Sequence, residues 1–339
     1  MKNYDVLDLS KFILSFFVVA IHTKLFPQFL YPWLRIAVPM FFVISSFLFF
    51  TKVNLAPDKD RKSILKKYVK RQLILYLFWF IALLPVTVFV RQDWFDGGIK
   101  SGILTALSNT LFSSTFITSW FIVASIQATV IVYFMSNGKN DAFLLIIFSV
   151  VYVICCLRSS YFLAFKGSRT VLMFSKCYET VFAKPMFSFP AALIWIMIGK
   201  TFADNKINTD KRSFFIISTL IFLVLLFIEW KYVVLLKGEY DSNSYLSLIP
   251  LVFSLFALIK DIKLNIKNAV VLRRISVITF PLHASVAVVA RKLLCKPIKN
   301  SDLRALVVFI LTAGICLAFS FAVFKLEKHK PFSFLKYSH

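Results

Sequence analysis

The sequence predicts an all-α, polytopic integral membrane bundle with about ten transmembrane helices. Three observations predict it. Of 339 residues, 59% are hydrophobic and 17% are charged, where soluble domains carry roughly a quarter charged. The mean hydropathy is +0.78. The apolar residues gather into continuous runs of roughly twenty, the length a helix needs to cross hydrocarbon. The 40 phenylalanines exceed what a soluble core could hide, so lipid must serve as solvent for much of that surface. A membrane β-barrel is excluded by pattern, because its strands alternate apolar and polar over about ten residues. The net charge of +24 would point to nucleic acid in a soluble protein. Here the basic residues stand between the apolar runs, so they are read as topology signals, with the bilayer and no nucleic acid as partner.

Taken in order, the runs predict helices at 9–25, 34–51, 72–90, 117–136, 141–158, 185–203, 213–236, 244–260, 273–293 and 303–325. Segment 102–116 is weakly apolar and reads as re-entrant or interfacial. Segment 161–182 is longer than a simple connection. Residues 1–325 form a single membrane domain, and 326–339 a short cytoplasmic tail too short to fold. With the N-terminus inside, the cytoplasmic group is the N-terminus, 52–71, 137–141, 200–212, 260–274 and the tail. It holds 24 of the 40 Lys and Arg residues, and 52–71 alone holds 8. Both termini are therefore expected in the cytoplasm of a cell-membrane protein. No small-residue cleavage site follows the first run, so that run is read as a retained helix rather than a signal peptide. The cysteines Cys155, Cys156, Cys177, Cys295 and Cys316 lack metal-ligand spacing and read as core residues, with a Cys177–Cys295 disulfide as the lesser alternative. No metal site is expected.

The first helix carries an unusual polar stripe. In LDLSKFILSFFVVAIHT, residues 7–23, Asp8, Lys11, Ser15 and His22 return to one narrow face at 100° per residue. Lys11 and His22 lie about three turns apart, roughly 16 Å along the axis. A polar stripe on a membrane helix faces a bundle interior or a wet cavity. Histidine suits proton transfer near neutral pH, and a cation at the far end suits a phosphate-bearing ligand. The plainer reading is a snorkelling Lys11 and a His22 that makes a helix–helix hydrogen bond. Spacing alone leaves both open.

The same residues resemble the membrane acyltransferase-3 family, whose first helix carries Arg or Lys, ten residues, then His. Lys11 and His22 fit that spacing. VPMFFVISSFLFF at 38–50 resembles the family's next apolar segment, with Ser46 in place of the usual Gly. YVKRQL at 68–73 resembles the cytoplasmic loop that opens the third helix. SWFIVASI at 119–126 resembles the Trp-aromatic helix start. SVITFPLHASV at 276–286 resembles a late helix ending in His, with Phe280-Pro281 for Ile-Tyr. The matches run in order over most of the chain.

The resemblance implies transfer of an acyl group, often acetyl, from cytoplasmic acyl-CoA to a hydroxyl of an envelope glycan or related acceptor. It implies His22 as general base, with Lys11 and Arg71 orienting the donor or its phosphates. Arg35 would bind the acceptor or polarise the acyl carbonyl. Each has a plainer reading: Arg35 as an interface anchor, Arg71 as a positive-inside residue. Asp8 either pairs with Lys11 or caps the helix, capping being the commoner role. Asp8, Ser15, Trp120, Glu179, Ser276 and His283 are the further candidates for a shared cavity. Glu179 and Glu229 either neutralise buried cations or serve catalysis, and Trp120 is an interfacial aromatic or a sugar platform. His283 lines the cavity or satisfies a buried hydrogen bond. Two other classes stand beside the enzyme. A transporter or flippase would show Gly/Pro-broken inverted repeats; with 8 Gly and no visible repeat it is the weaker reading. A non-catalytic sensor subunit would have no use for the stripe. Acceptor, acyl chain and oligomeric state are not legible.

Overall fold

A computed structural model describes residues 4–90, 96–112, 115–136, 138–165, 167–181, 185–235, 243–295 and 297–339, among which there is no strand. Ten of the helices answer to the ten apolar runs. They are α1 (Asp5–Thr23), α2 (Ala37–Asn54), α3 (Asp58–Ala82), α4 (Trp120–Met135) and α5 (Asp141–Leu157), then α6 (Phe189–Ala203), α7 (Arg212–Leu235), α8 (Leu248–Ile259), α9 (Ala269–Val289) and α10 (Ser301–Leu326).

Length separates them. Among the described residues, five stretches are long and apolar enough to cross a membrane: α1, Gln28–Asn54, α7, Ala269–Leu293 and α10. A sixth is α3 with the helix Leu84–Val90, bent by 65°. α4, α5, α6 and α8 have 16, 17, 15 and 12 residues, roughly 18–26 Å of rise. The expectation of about ten spans is therefore not met by length: five or six helices qualify. Protein encloses most of α4, α6 and α8, whereas α5 exposes Phe143, Ile146 and Val150. α6 is buried from Pro190 to Ala203, packed by α2, α4 and α5, so it presents almost nothing to lipid. α7 is the opposite case, with Phe214, Ile217, Leu220 and Val224 all exposed, as a lipid-facing helix requires.

α2 and α6 pack in close contact. A Cβ placed on Gly199 would fall 2.5 Å from the Val43 carbonyl oxygen and 2.7 Å from the Ser46 Cβ. Small residues let membrane helices approach this closely. Ser46 Oγ uses the approach to donate to the Ile196 carbonyl at 2.5 Å. The family's glycine is thus missing from α2, and a glycine facing it on α6 provides the room.

Two local expectations are corrected. The basic stretch 52–71 is not a loop, since most of it is the first half of α3. Its Lys, Arg and Leu residues are good helix formers, and Asp58 and Asp60 favour the first turn. The bend follows from Pro85, which lacks the N–H that the Ile81 carbonyl would need. Segments 102–116 and 161–182 contain the helices Ile99–Phe112, Phe162–Phe165 and Arg169–Val181. The tail is also ordered. Residues Lys330–Ser338 form a 3₁₀ helix that docks where Trp79 Nε1 donates to the Ser338 carbonyl at 3.0 Å, and Arg274 bridges to Glu327. Docking against α3 and α10 provides the core that the tail lacks by itself.

Charges inside the bundle are matched. Lys200 of α6 reaches Asp141 at 3.1 Å and Asp204 at 2.5 Å, and Lys206 reaches Asp141 at 2.6 Å. All five cysteines are free; four are buried and Cys177 is exposed. Neither the disulfide nor a core place for Cys177 is therefore found, because Cys177 stands on the open face of Arg169–Val181.

Candidate active site

α1 and α9 pack side by side and run parallel. Asp8 meets Arg273 at 3.6 Å near the start of both helices. Further along, the His22 and His283 rings lie 5.0 Å apart at 60°. At the far end Arg291 donates to the His22 carbonyl at 2.9 Å. Arg291 sits in the π-helical turn Ala290–Leu294 that continues α9. Its bond satisfies one of the orphan carbonyls of the last turn of α1. α1 then ends at Lys24 in the left-handed conformation, φ 58°, and the short helix Tyr31–Leu34 returns the chain to Arg35.

These turns open one side of His22 to a cavity of about 690 Å³. His22, Arg35, Asn109, Tyr152 and Asn243 supply its polar wall, and Phe42, Trp120, Phe187, Trp195 and Phe280 its aromatic wall. Trp120 opens α4 and is held edge-on to Phe187 at 5.7 Å. The volume and the mixed lining suit a ligand of small-molecule size with a few directed polar groups.

His22, Arg35 and Trp120 are thus brought together in one cavity wall. The remaining candidates lie elsewhere. His283 does not line the cavity; it is fully buried behind His22, and its Nδ1 bonds the Thr279 carbonyl at 3.0 Å. Ser15 and Ser276 donate within their own helices, to Phe12 and Arg273 carbonyls at 2.7 Å each. Asp8 does not cap α1, whose N-cap is Tyr4 without a side-chain bond; a buried carboxylate gains more from Arg273. Glu179 pairs with Arg158 at 2.6 Å, neutralising a cation as the plainer reading had it. Glu229 instead receives the Leu246 and Ser247 amides at 2.5 and 2.8 Å and the Tyr161 hydroxyl, bracing the start of α8.

Lys11 forms a second centre on the same helix. It is half-buried, and the charges acting on it are those of Asp8, Arg273 and Arg71. Lys11 and Arg71, distant in sequence, therefore share a cationic end of the bundle with Arg273, and the helix rise sets it roughly 16 Å from His22. Arg291, Tyr152 and Trp195 escaped the sequence reading. Arg291 stands at the end of the run 273–293, where no pattern sets it apart from any other cation. Tyr152 and Trp195 lie inside apolar runs, where nothing distinguishes a cavity wall from a core.

Comparison with known proteins now bears on this arrangement. The acyltransferase-3 family model, an acyltransferase domain, matches residues 4–325. Two amino-acid racemases of Enterococcus faecalis are similar to parts of the chain. One is 22% identical over 272 residues, 76% of this chain and 36% of the relative. The other is 29% identical over 135 residues, 37% of this chain and 18% of the relative. The chain thus spans about a third or less of these relatives' length. No solved structure matches it. With the family model covering almost the whole chain, and helices long and apolar enough to cross a bilayer more than once, this all-helical protein belongs to the membrane acyltransferase-3 family.

Proposed function

We propose that the protein is a cell-membrane O-acyltransferase. It moves an acyl group, acetyl foremost, from cytoplasmic acyl-CoA to a hydroxyl of an envelope glycan or related acceptor. The observation that carries this reading is the position of His22 in an aromatic cavity, with Lys11, Arg71 and Arg273 gathered at the other end of the same helix. A donor with several phosphates needs a cationic mouth, and the proposed topology puts that end, like both termini, in the cytoplasm. Lys11 and Arg71 hold the phosphates there while the pantetheine arm extends inward along α1. Trp120, Trp195 and Phe42 offer flat faces to a sugar ring, and Arg35 polarises the acyl carbonyl.

In the transfer, His22 takes the proton of the acceptor hydroxyl as its oxygen bonds to the thioester carbonyl carbon. The C–S bond breaks, and His22 returns the proton to the departing thiolate. The test is purified protein in vesicles with labelled acetyl-CoA, together with mass spectrometry of envelope glycans from cells with and without the gene. Label transfer lost roughly 10²–10⁴-fold in a well-folded His22→Ala variant supports the base assignment. Full activity in that variant eliminates it.

A further inference from the structure

The bond between His283 Nδ1 and the Thr279 carbonyl decides the state of that ring. A carbonyl oxygen only accepts, so Nδ1 carries a hydrogen, and Nε2 of the neutral imidazole is an acceptor. That Nε2 is buried and has no hydrogen-bond partner. An unmet buried acceptor is costly, so a side chain retained in this state calls for a partner. The ring beside it is His22, at 5.0 Å between centroids. A hydrogen bond of roughly 2.9 Å between ring nitrogens sets two imidazole centroids about 5 Å apart. The separation of the rings therefore matches that of a bonded pair. The backbone is held for it by Arg291 on the His22 carbonyl. Phe280, edge-on to His283 at 6.0 Å and to Phe41 at 5.4 Å, closes the other side with apolar surface.

We propose that His283 is the positioning residue of His22, its Nε2 accepting a hydrogen bond from one His22 ring nitrogen so that the other faces the cavity as a base. The inference rests on the reading of His22 as the general base. His283 neither gains nor loses a proton. The hydroxyl proton moves to the cavity-facing nitrogen of His22 and from there to the thiolate, while the opposite N–H of His22 stays hydrogen-bonded to His283 Nε2. The charge that forms on His22 is thereby met by an acceptor itself anchored to a backbone carbonyl, as an orienting group does behind a catalytic histidine.

Two variants of the full chain in lipid nanodiscs test it. His283→Leu removes the acceptor and keeps an apolar side chain; His283→Gln restores an acceptor at similar reach. Positioning predicts that kcat of acetyl transfer falls roughly 10–100-fold in His283→Leu with both KM values little changed, and that His283→Gln recovers much of the loss. Equal loss in both variants, or a change confined to KM, overturns it. A second readout needs no substrate. In protein with nitrogen-15 histidine, the His22 ring signals, assigned by their disappearance in His22→Ala, should shift in His283→Leu and return toward the native position in His283→Gln. Unmoved signals overturn the pairing whatever the activity. The expected shifts in a protein whose native form transfers no acyl group uphold the pairing and overturn only the reading of His22 as a base.

Discussion

The guanidinium of Arg291 donates to the carbonyl of His22 at 2.9 Å and so ties the last turn of α1 to the π-turn that extends α9. Residues 269 positions apart thereby determine where one imidazole stands. π-turns inside α-helices concentrate at functional sites, and this one delivers a cation to a helix C-terminus, where it is favoured.

If Arg291 holds the His22 backbone, Arg291→Met should lower kcat of acyl transfer by roughly 10-fold or more, because small misplacements of a catalytic group are amplified in rate. Arg291→Lys should retain part of the rate. Steady-state kinetics in vesicles decides the matter, and native kcat in Arg291→Met would remove the tether from the mechanism.

Lys11→Ala should raise KM for acyl-CoA and leave the dependence on acceptor unchanged, since Lys11 neighbours Arg71 and Arg273 and not the cavity. Lys11→Arg should keep activity, because the cation remains. Donor titrations in membranes report both, and an unaltered donor KM in Lys11→Ala would sink the phosphate-holding role.

Gly199→Ala should destabilise the bundle by about 1–3 kcal/mol, the usual penalty of overpacking. The new methyl would lie 2.5 Å from the Val43 carbonyl, backbone that cannot swing aside. Thermal unfolding in detergent should show a lower midpoint. In the same assay Ser46→Gly should recover some of that loss, because the Ser46 Cβ is the second group the methyl meets.

Docking of the tail should respond to acid. Burial, and then the Arg274 guanidinium, lower the His339 imidazole from 6.5 to about 4. An undocked tail therefore binds more protons between those two values. Docking is complete above the upper one and weakens as pH falls toward the lower. A spin label at exposed position Tyr337 should be immobile at neutral pH and mobile at the acid end of that window. His339→Gln should lose this response. Identical line shapes at both ends in the native chain would show that His339 is not linked to docking.

The sequence by itself determined that the chain is helical and built for lipid, because apolar run length and the spacing of basic residues are local quantities that no packing can disguise. It also determined the polar stripe of α1, since 100° per residue aligns Asp8, Lys11, Ser15 and His22 wherever the helix is placed. Only the tertiary structure decided which neighbours that stripe meets. Arg273, His283 and Arg291 come from one helix more than 240 residues away, and nothing in a linear pattern says that α9 lies parallel to α1. It also decided that α6 and α8 need not be full-length spans. Burial by neighbours relieves a helix of facing lipid, and burial depends on the whole bundle. The cavity is of the same kind: Tyr152 and Trp195 look like any apolar-run aromatic until α5 and α6 turn them toward the space beside His22.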